Sequence, residues 1–208
     1  MLKGFKRKPI FSIGINDACY PIENCPYYSR WHSMLRRCYS KRYQERKPTY
    51  LGCTVCEEWL IFSNFKSWME QQDWKGKQLD KDLLVKGNKI YSPSLCIFVS
   101  GKVNSYLAIH SKNKDELPLG VTENKRTQGR SFYAQGSNGS GEKLHLGTFK
   151  NPIDAHFCWM KNKIAVGNRL LSEEKDERVK TILSNLLDLL YYKLLNKLEV
   201  TKEDLTGR

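Results

Sequence analysis

Leu117-Pro118-Leu119-Gly120-Val121, Ser131-Phe132-Tyr133-Ala134 and Leu144-His145-Leu146-Gly147-Thr148-Phe149 decide how this chain is read. Each stretch carries apolar residues at alternate positions, the period of a strand with one buried face. The intervals between them hold Gly, Asn, Ser, Lys and Arg, which is turn chemistry. Three short strands forming a small antiparallel sheet are expected. Asn151-Pro152 comes next, and proline suits the first turn of a helix, where a backbone N–H would lack an intrahelical partner. The helix it opens carries Ala155, Phe157, Trp159, Met160, Ile164 and Val166 to cover one face of the sheet. The other face is left to solvent or to a ligand.

That open face is basic and polar. Lys125, Arg126, Arg130, Gln135, Lys143 and His145 lie in or beside the strands. Arg, Lys and Gln bond phosphates and the major-groove edges of guanine and adenine, although charged surface residues are commonly just solvated. The segment from about Leu117 to Gly167 resembles the plant Apetala/ethylene-response-factor DNA-binding domain, a module that phage and bacterial nucleases also carry. The matching pieces are Gly120-Val121, Phe132-Tyr133-Ala134, Leu146-Gly147-Thr148-Phe149 and the helix with Ala155. This resemblance implies a sheet that enters the major groove of double-stranded DNA.

Charge points the same way. The 208 residues include 35 Lys and Arg against 22 Asp and Glu, a formal net charge of +13. Such an excess favours a polyanion through counterion release. A membrane surface is the rival polyanion, but no uninterrupted apolar run approaches spanning length. Met1-Leu2-Lys3-Gly4-Phe5-Lys6-Arg7-Lys8-Pro9 has no apolar signal core behind its charges either. A cytoplasmic protein without membrane partners is expected, and its seven cysteines are then expected as thiols or metal ligands. Cys53-Thr54-Val55-Cys56 has the spacing that lets two thiolates reach one Zn2+. Cys38 and Cys96 are candidates for the other two ligands, set against the ordinary burial of small sulfur side chains.

Upstream of the sheet the pattern changes. Tyr28, Trp31, Met34, Leu35 and Cys38 recur at helical spacing, and a second helix is expected directly after Cys56. There Glu57 and Glu58 suit the positive end of the helix dipole, and Trp59, Phe62, Phe65, Trp68 and Met69 form a stripe. From Leu79 to Asn104 a hairpin is expected around Lys86-Gly87-Asn88-Lys89, then a short helix ending near Asn104 or Tyr106.

This region, roughly Tyr28 to Asn104, resembles phage-type HNH endonucleases of the His-Me finger group. The resemblance is carried by Trp31-x-x-Met34 with Arg37-Cys38-Tyr39, Val55-Cys56-Glu57-Glu58-Trp59 with Phe62 and Phe65, Leu79-Asp80-Lys81-Asp82, Tyr91-Ser92-Pro93 with Cys96, and Asn104. It implies a ββα-metal fold gripping one divalent ion, Mg2+ or Mn2+, with Asp80 and Asn104 as ligands and Asp82 as a further oxygen donor or water-orienting group. Hard cations prefer such oxygens and stabilise charge on a scissile phosphate. The chain departs from the family where the general-base histidine belongs, since Lys81 stands there, and an ordinary lysine is a poor base near pH 7. Three alternatives follow: cleavage with Asp82, a Lys81 of depressed pKa, Tyr91 or a metal-bound hydroxide as base, cleavage with His32 or His110 borrowed from outside the motif, or a scaffold that only binds.

The expected organisation is α+β. A basic arm spans 1–25, the HNH-like ββα-metal domain 26–109 and a linker 110–116. A three-stranded antiparallel sheet with its helix, the DNA-binding domain, spans 117–170, and a C-terminal helix built on Val179 to Leu198 occupies 171–208. The acidic Ser172-Glu173-Glu174 is expected to open that last helix. The expected function is a site-selective, metal-dependent DNA endonuclease of phage or homing type. The alternatives are a non-catalytic DNA-binding protein and one whose basic surface serves RNA.

Overall fold

A computed structural model describes residues 7–108, 117–124 and 131–206. It is a mixed α+β structure that divides into two compact units, 1–99 and 100–208. The division falls earlier than the linker expected at 110–116, which lies outside the described residues.

The first unit is built on α1 (Pro26–Tyr39), opened by Pro26 and presenting Trp31, Met34, Leu35 and Cys38 to the core as its spacing predicts. A short α2 (Lys41–Arg46) follows. Trp59, Phe62, Phe65 and Met69 bury the opposite side of the same core, and the Trp31 indole N–H donates to the Trp59 carbonyl at 2.7 Å. The second helix does not begin at Glu57. Glu57–Leu60 is a single 3-10 turn, Ile61 is extended, and α3 runs Phe62–Glu70. The cause is the N-terminal segment: Ile15 N–H donates to Leu60 O (2.7 Å) and Ile15 O accepts from Phe62 N–H (3.0 Å), taking Ile61 out of the helix as a one-residue bridge. From Arg7 onward the expected arm is therefore part of the unit, with Ile10 and Phe11 packed on its core.

The strands of this unit are short. β1 (Thr54–Val55) pairs in parallel with β3 (Ile90–Tyr91), whereas β2 (Lys77–Asp80) pairs with β4 (Ile97–Ser100). The residues flanking the 86–89 turn thus do not close a hairpin on each other. Alternation showed where strands are but carries nothing about partners so far apart in sequence.

In the second unit α4 (Gly101–Leu107) is capped by the Ser100 hydroxyl. It packs on α5 (Pro152–Glu173), where the Tyr106 hydroxyl donates to Lys163 O at 3.0 Å. The helix expected to end the first domain therefore belongs to the second unit. β5 (Val121–Glu123), β6 (Phe132–Ser137) and β7 (Lys143–Phe149) form the expected antiparallel sheet in the order β5-β6-β7. Val121, Phe132, Ala134 and Ala155 make its core against α5. α5 continues through Glu173, and α6 (Glu177–Leu195) starts only after Asp176 caps it; a run of acidic residues favours a helix start without saying which residue turns the chain. Val179, Leu183, Leu187 and Leu190 are buried, and the last two join Met160 and Ile164, so this stripe packs intramolecularly. A short α7 (Lys202–Thr206) follows.

His156 ties these pieces together. It is completely buried, its Nδ1–H donates to Leu119 O (2.8 Å), and its Nε2 accepts the Val200 N–H (3.0 Å), so it is neutral with the proton on Nδ1. Burial pushes its pKa below the ordinary histidine value, against the smaller opposing pull of the Leu119 bond. A folded pKa lower than the unfolded one leaves stability complete above about pH 6.5 and erodes it as the pH falls further, because the unfolded chain takes up a proton that the folded one resists. Thermal unfolding of the second unit is expected to fall between pH 6.5 and 5, and more steeply than in His156→Gln, which reproduces both bonds without titrating. Identical pH profiles for the two proteins would contradict this.

Candidate functional site

Two groups of residues concentrate the chemistry, one in each unit. The first is the uncovered face of the three-stranded sheet. Because Phe132 and Ala134 point to α5, Tyr133 and Gln135 point away from it. Across the ladder they meet Thr148 and His145, and Ser137 meets Lys143. The Tyr133 and His145 rings lie 5.7 Å apart, and Thr148 Oγ1 is 3.4 Å from His145 Nε2. Gln135, Lys143 and His145 are exposed. The structure thus brings these three expected residues onto one face. Lys125, Arg126 and Arg130 lie outside the described residues. Tyr133 and Thr148 join the set, and the alternation around Phe132 is the signal that finds them.

A β-bulge makes this face possible. An unbroken ladder would put Leu146 opposite Gln135. The register instead slips between Ala134 and Gln135, so that His145 takes that place and Leu146 packs against the core under α5. Gly147, with φ of 148°, supplies the backbone conformation the bulge requires. Lys143, His145 and Gln135 are donors or adaptable hydrogen-bonding groups on a two-strand ribbon narrow enough for a major groove.

The second group is the loop after β2. Asp80 Oδ1 accepts from the N–H groups of Asp82 (3.0 Å) and Leu83 (2.7 Å), which turns the chain sharply and holds the two carboxyls near each other. Burial, and then the Asp82 carboxylate beside it, push the Asp80 carboxyl above its ordinary value, against those two hydrogen bonds. Lys81 is 6% exposed, and its ammonium donates to Asp82 Oδ2 and to Asn88 O, each at 2.9 Å. These structural partners occupy the amine expected as a possible base. The Asn88 side chain closes the loop from within, donating to Lys81 O and Ile90 O and accepting from Ile90 N–H. Asn104, on α4, belongs to the second unit. His32 sits beside Phe11 and Tyr28, and Tyr91 is buried with its hydroxyl accepting from Arg37 at 3.4 Å. His110 lies outside the described residues.

Cys38, Cys53 and Cys96 are buried in the core of the first unit and Cys56 packs against it, all as free thiols. Burial raises Cys38 and Cys96 to about 12. Among the described residues no three His, Cys, Asp or Glu side chains are grouped to hold a metal ion, so the C-x-x-C spacing gains no geometric support as a Zn2+ site. The 53–56 stretch places β1 beside β3.

Comparison of the chain with protein-family models, curated proteins and solved structures returns no match. Among the described residues no helix is long and apolar enough to cross a membrane.

Proposed function

We propose that this chain is a DNA endonuclease, with the uncovered sheet face of the second unit gripping duplex DNA and the Asp80 loop of the first unit assisting phosphodiester hydrolysis. The observation that carries the reading is the bulged ribbon. A sheet of this size has no structural need to turn Tyr133, Gln135, Lys143 and His145 together to solvent, and it spends a bulge and a left-handed glycine to do so. The net charge of +13 supplies the sequence-independent part of the affinity.

The catalytic half rests on Asp80. Two neighbouring carboxyls, one of them desolvated and made harder to ionise by the other, are the oxygen donors a Mg2+ or Mn2+ ion stabilises. Mg2+ is typically held by only one or two carboxylates, with waters and substrate phosphate completing its shell, so the absence of a three-residue cluster among the described residues is compatible with it. Asp80 and Asp82 are the residues we assign to the ion, which when bound supplies Lewis-acid stabilisation of the charge on the reacting phosphate. Lys81 keeps Asp82 oriented through its salt bridge and does not act as base. A second reading, a non-catalytic DNA-binding protein, is favoured by that same salt bridge, which ties Asp82 into the loop.

The experiment is direct. Purified protein incubated with supercoiled plasmid and Mg2+ or Mn2+ is expected to nick it, and no nicking under either metal leaves the binding reading alone. For the DNA face, Lys143→Ala is expected to weaken duplex binding and to reduce the slope of log affinity against log salt by about one, the loss of one phosphate contact. An unchanged slope in a gel-shift titration removes Lys143 from the interface.

A further inference from the structure

The second unit contains a cleft of about 520 Å3, within the size range of small-molecule sites. It opens where β5 gives out. Gly120 O takes the Gln135 N–H at 2.8 Å, and β6 then runs on beside β7 alone, with α4 and α5 bounding the space. Its walls include the aromatic rings of Tyr106 and Trp159 and the aliphatic Leu119, Val121 and Val166.

Three lysines, Lys102, Lys143 and Lys163, stand among its polar groups against one carboxylate, Glu142. Asn162 Oδ1 already accepts from the Ser137 N–H (3.1 Å), which leaves its amide N–H groups as the protons it has to give. The Lys163 ammonium donates to the Tyr106 carbonyl (2.8 Å) and lies 4.2 Å over the Tyr106 ring, and no carboxylate among the described residues pairs with it. Lys102, Lys143 and Glu142 are the other charged groups lining the cleft. Glu142 accepts from the Asn138 amide (2.9 Å), and Lys102 is 3.9 Å from Glu173. A desolvated ammonium with only neutral partners is unfavourable until a countercharge arrives. An anion supplies one, and the apolar wall offers a surface for the rest of the ligand.

We propose that this cleft binds a nucleotide, with its phosphate at Lys163 and Asn162 and its base against the apolar wall. The nucleotide comes either free from solution or as the phosphorylated end of a DNA strand. The inference does not depend on cleavage in the first unit. Burial lowers the Lys163 pKa to about 8, so its hold on a phosphate is sensitive to mildly alkaline pH.

Calorimetric titration of the full chain with deoxyadenosine monophosphate, and with a single-stranded tetranucleotide bearing either a 5′-phosphate or a 5′-hydroxyl, tests this. Phosphorylated ligands are expected to bind, with affinity falling by up to about tenfold from pH 7 to pH 9 as Lys163 loses its proton. Lys163→Met, which keeps the stem and loses the charge, is expected to bind at least tenfold more weakly at pH 7 and to show no further fall. Binding of the mononucleotide identifies a free nucleotide, and binding of the phosphorylated tetranucleotide alone identifies a strand end. Equal affinity for the 5′-hydroxyl strand, a flat pH profile in the wild type, or no heat from any ligand at millimolar concentration overturns the proposal. The wild-type pH series and the hydroxyl comparison hold even if the variant fails to fold.

Discussion

Asp80→Asn is expected to reduce metal-dependent plasmid cleavage by on the order of 100-fold or more while leaving metal-free DNA affinity within about twofold. The substitution separates charge from structure. Asp80 Oδ1 takes the N–H groups of Asp82 and Leu83, and an asparagine carbonyl oxygen accepts both, so the loop keeps its turn. What disappears is one anionic donor to a hard cation. A bound ion contributes several kcal/mol to stabilising charge on the reacting phosphate, and each decade of rate corresponds to roughly 1.4 kcal/mol, so weakening its grip costs two decades or more. Asp82→Asn is a milder change, because Asp82 already shares its charge with Lys81. Single-turnover nicking in Mn2+ measures both. Cleavage that survives Asp80→Asn at the wild-type rate would assign the activity to another site or a contaminant and leave only a DNA-binding protein.

Gly120→Ala is expected to destabilise the second unit by about 3 kcal/mol and to weaken its DNA binding by shifting the sheet edge bonded to Gln135. Gly120 has a φ of 76°, where a β-carbon costs about 1–2 kcal/mol. A methyl group at this position would also run into the Trp159 indole, which packs flat against the glycine. Overpacking of that kind costs about 1–3 kcal/mol. Gly120 also accepts the Gln135 N–H and follows Leu119, whose carbonyl holds His156, so a displaced strand loosens the sheet edge and the buried histidine together. Urea denaturation monitored by tryptophan fluorescence measures the shift. A loss under about 1 kcal/mol would mean that the Trp159 ring turns aside at little cost and that the Gly120–Trp159 contact is not a determinant of the sheet.

Local chemistry made much of this chain legible. Pro26 and Pro152 open their helices, Trp31, Met34, Leu35 and Cys38 line the buried side of the first of them, and Phe132 and Ala134 face inward while Tyr133 and Gln135 face out. Each follows from steric or hydrophobic periodicity within a few residues. The start of α3 did not, because it is set by Ile15, some 46 residues before Ile61. The partner of β3 did not either: Ile90–Tyr91 pairs with Thr54–Val55 across the core. The glutamates at 57 and 58 promised a helix start that a tertiary contact moved, and those at 173 and 174 one that Asp176 takes instead, since a favourable dipole interaction is worth only some tenths of a kcal/mol up to about 1.

The sequence by itself determined the α+β class, the three-stranded sheet backed by a helix, and a strongly basic chain carrying Asp80 and Asp82 on either side of Lys81. These depend on period, turn residues and charge, which act over short range or need no geometry. Only the tertiary structure decided that a bulge places His145 rather than Leu146 beside Gln135. It also decided that Lys81 is spent on Asp82 and Asn88, that Cys38, Cys53 and Cys96 are buried as thiols, and that Lys163 has no carboxylate partner among the described residues beside an open cleft. Each of those outcomes turns on which distant groups share a low-dielectric neighbourhood, and no single stretch of chain contains that information.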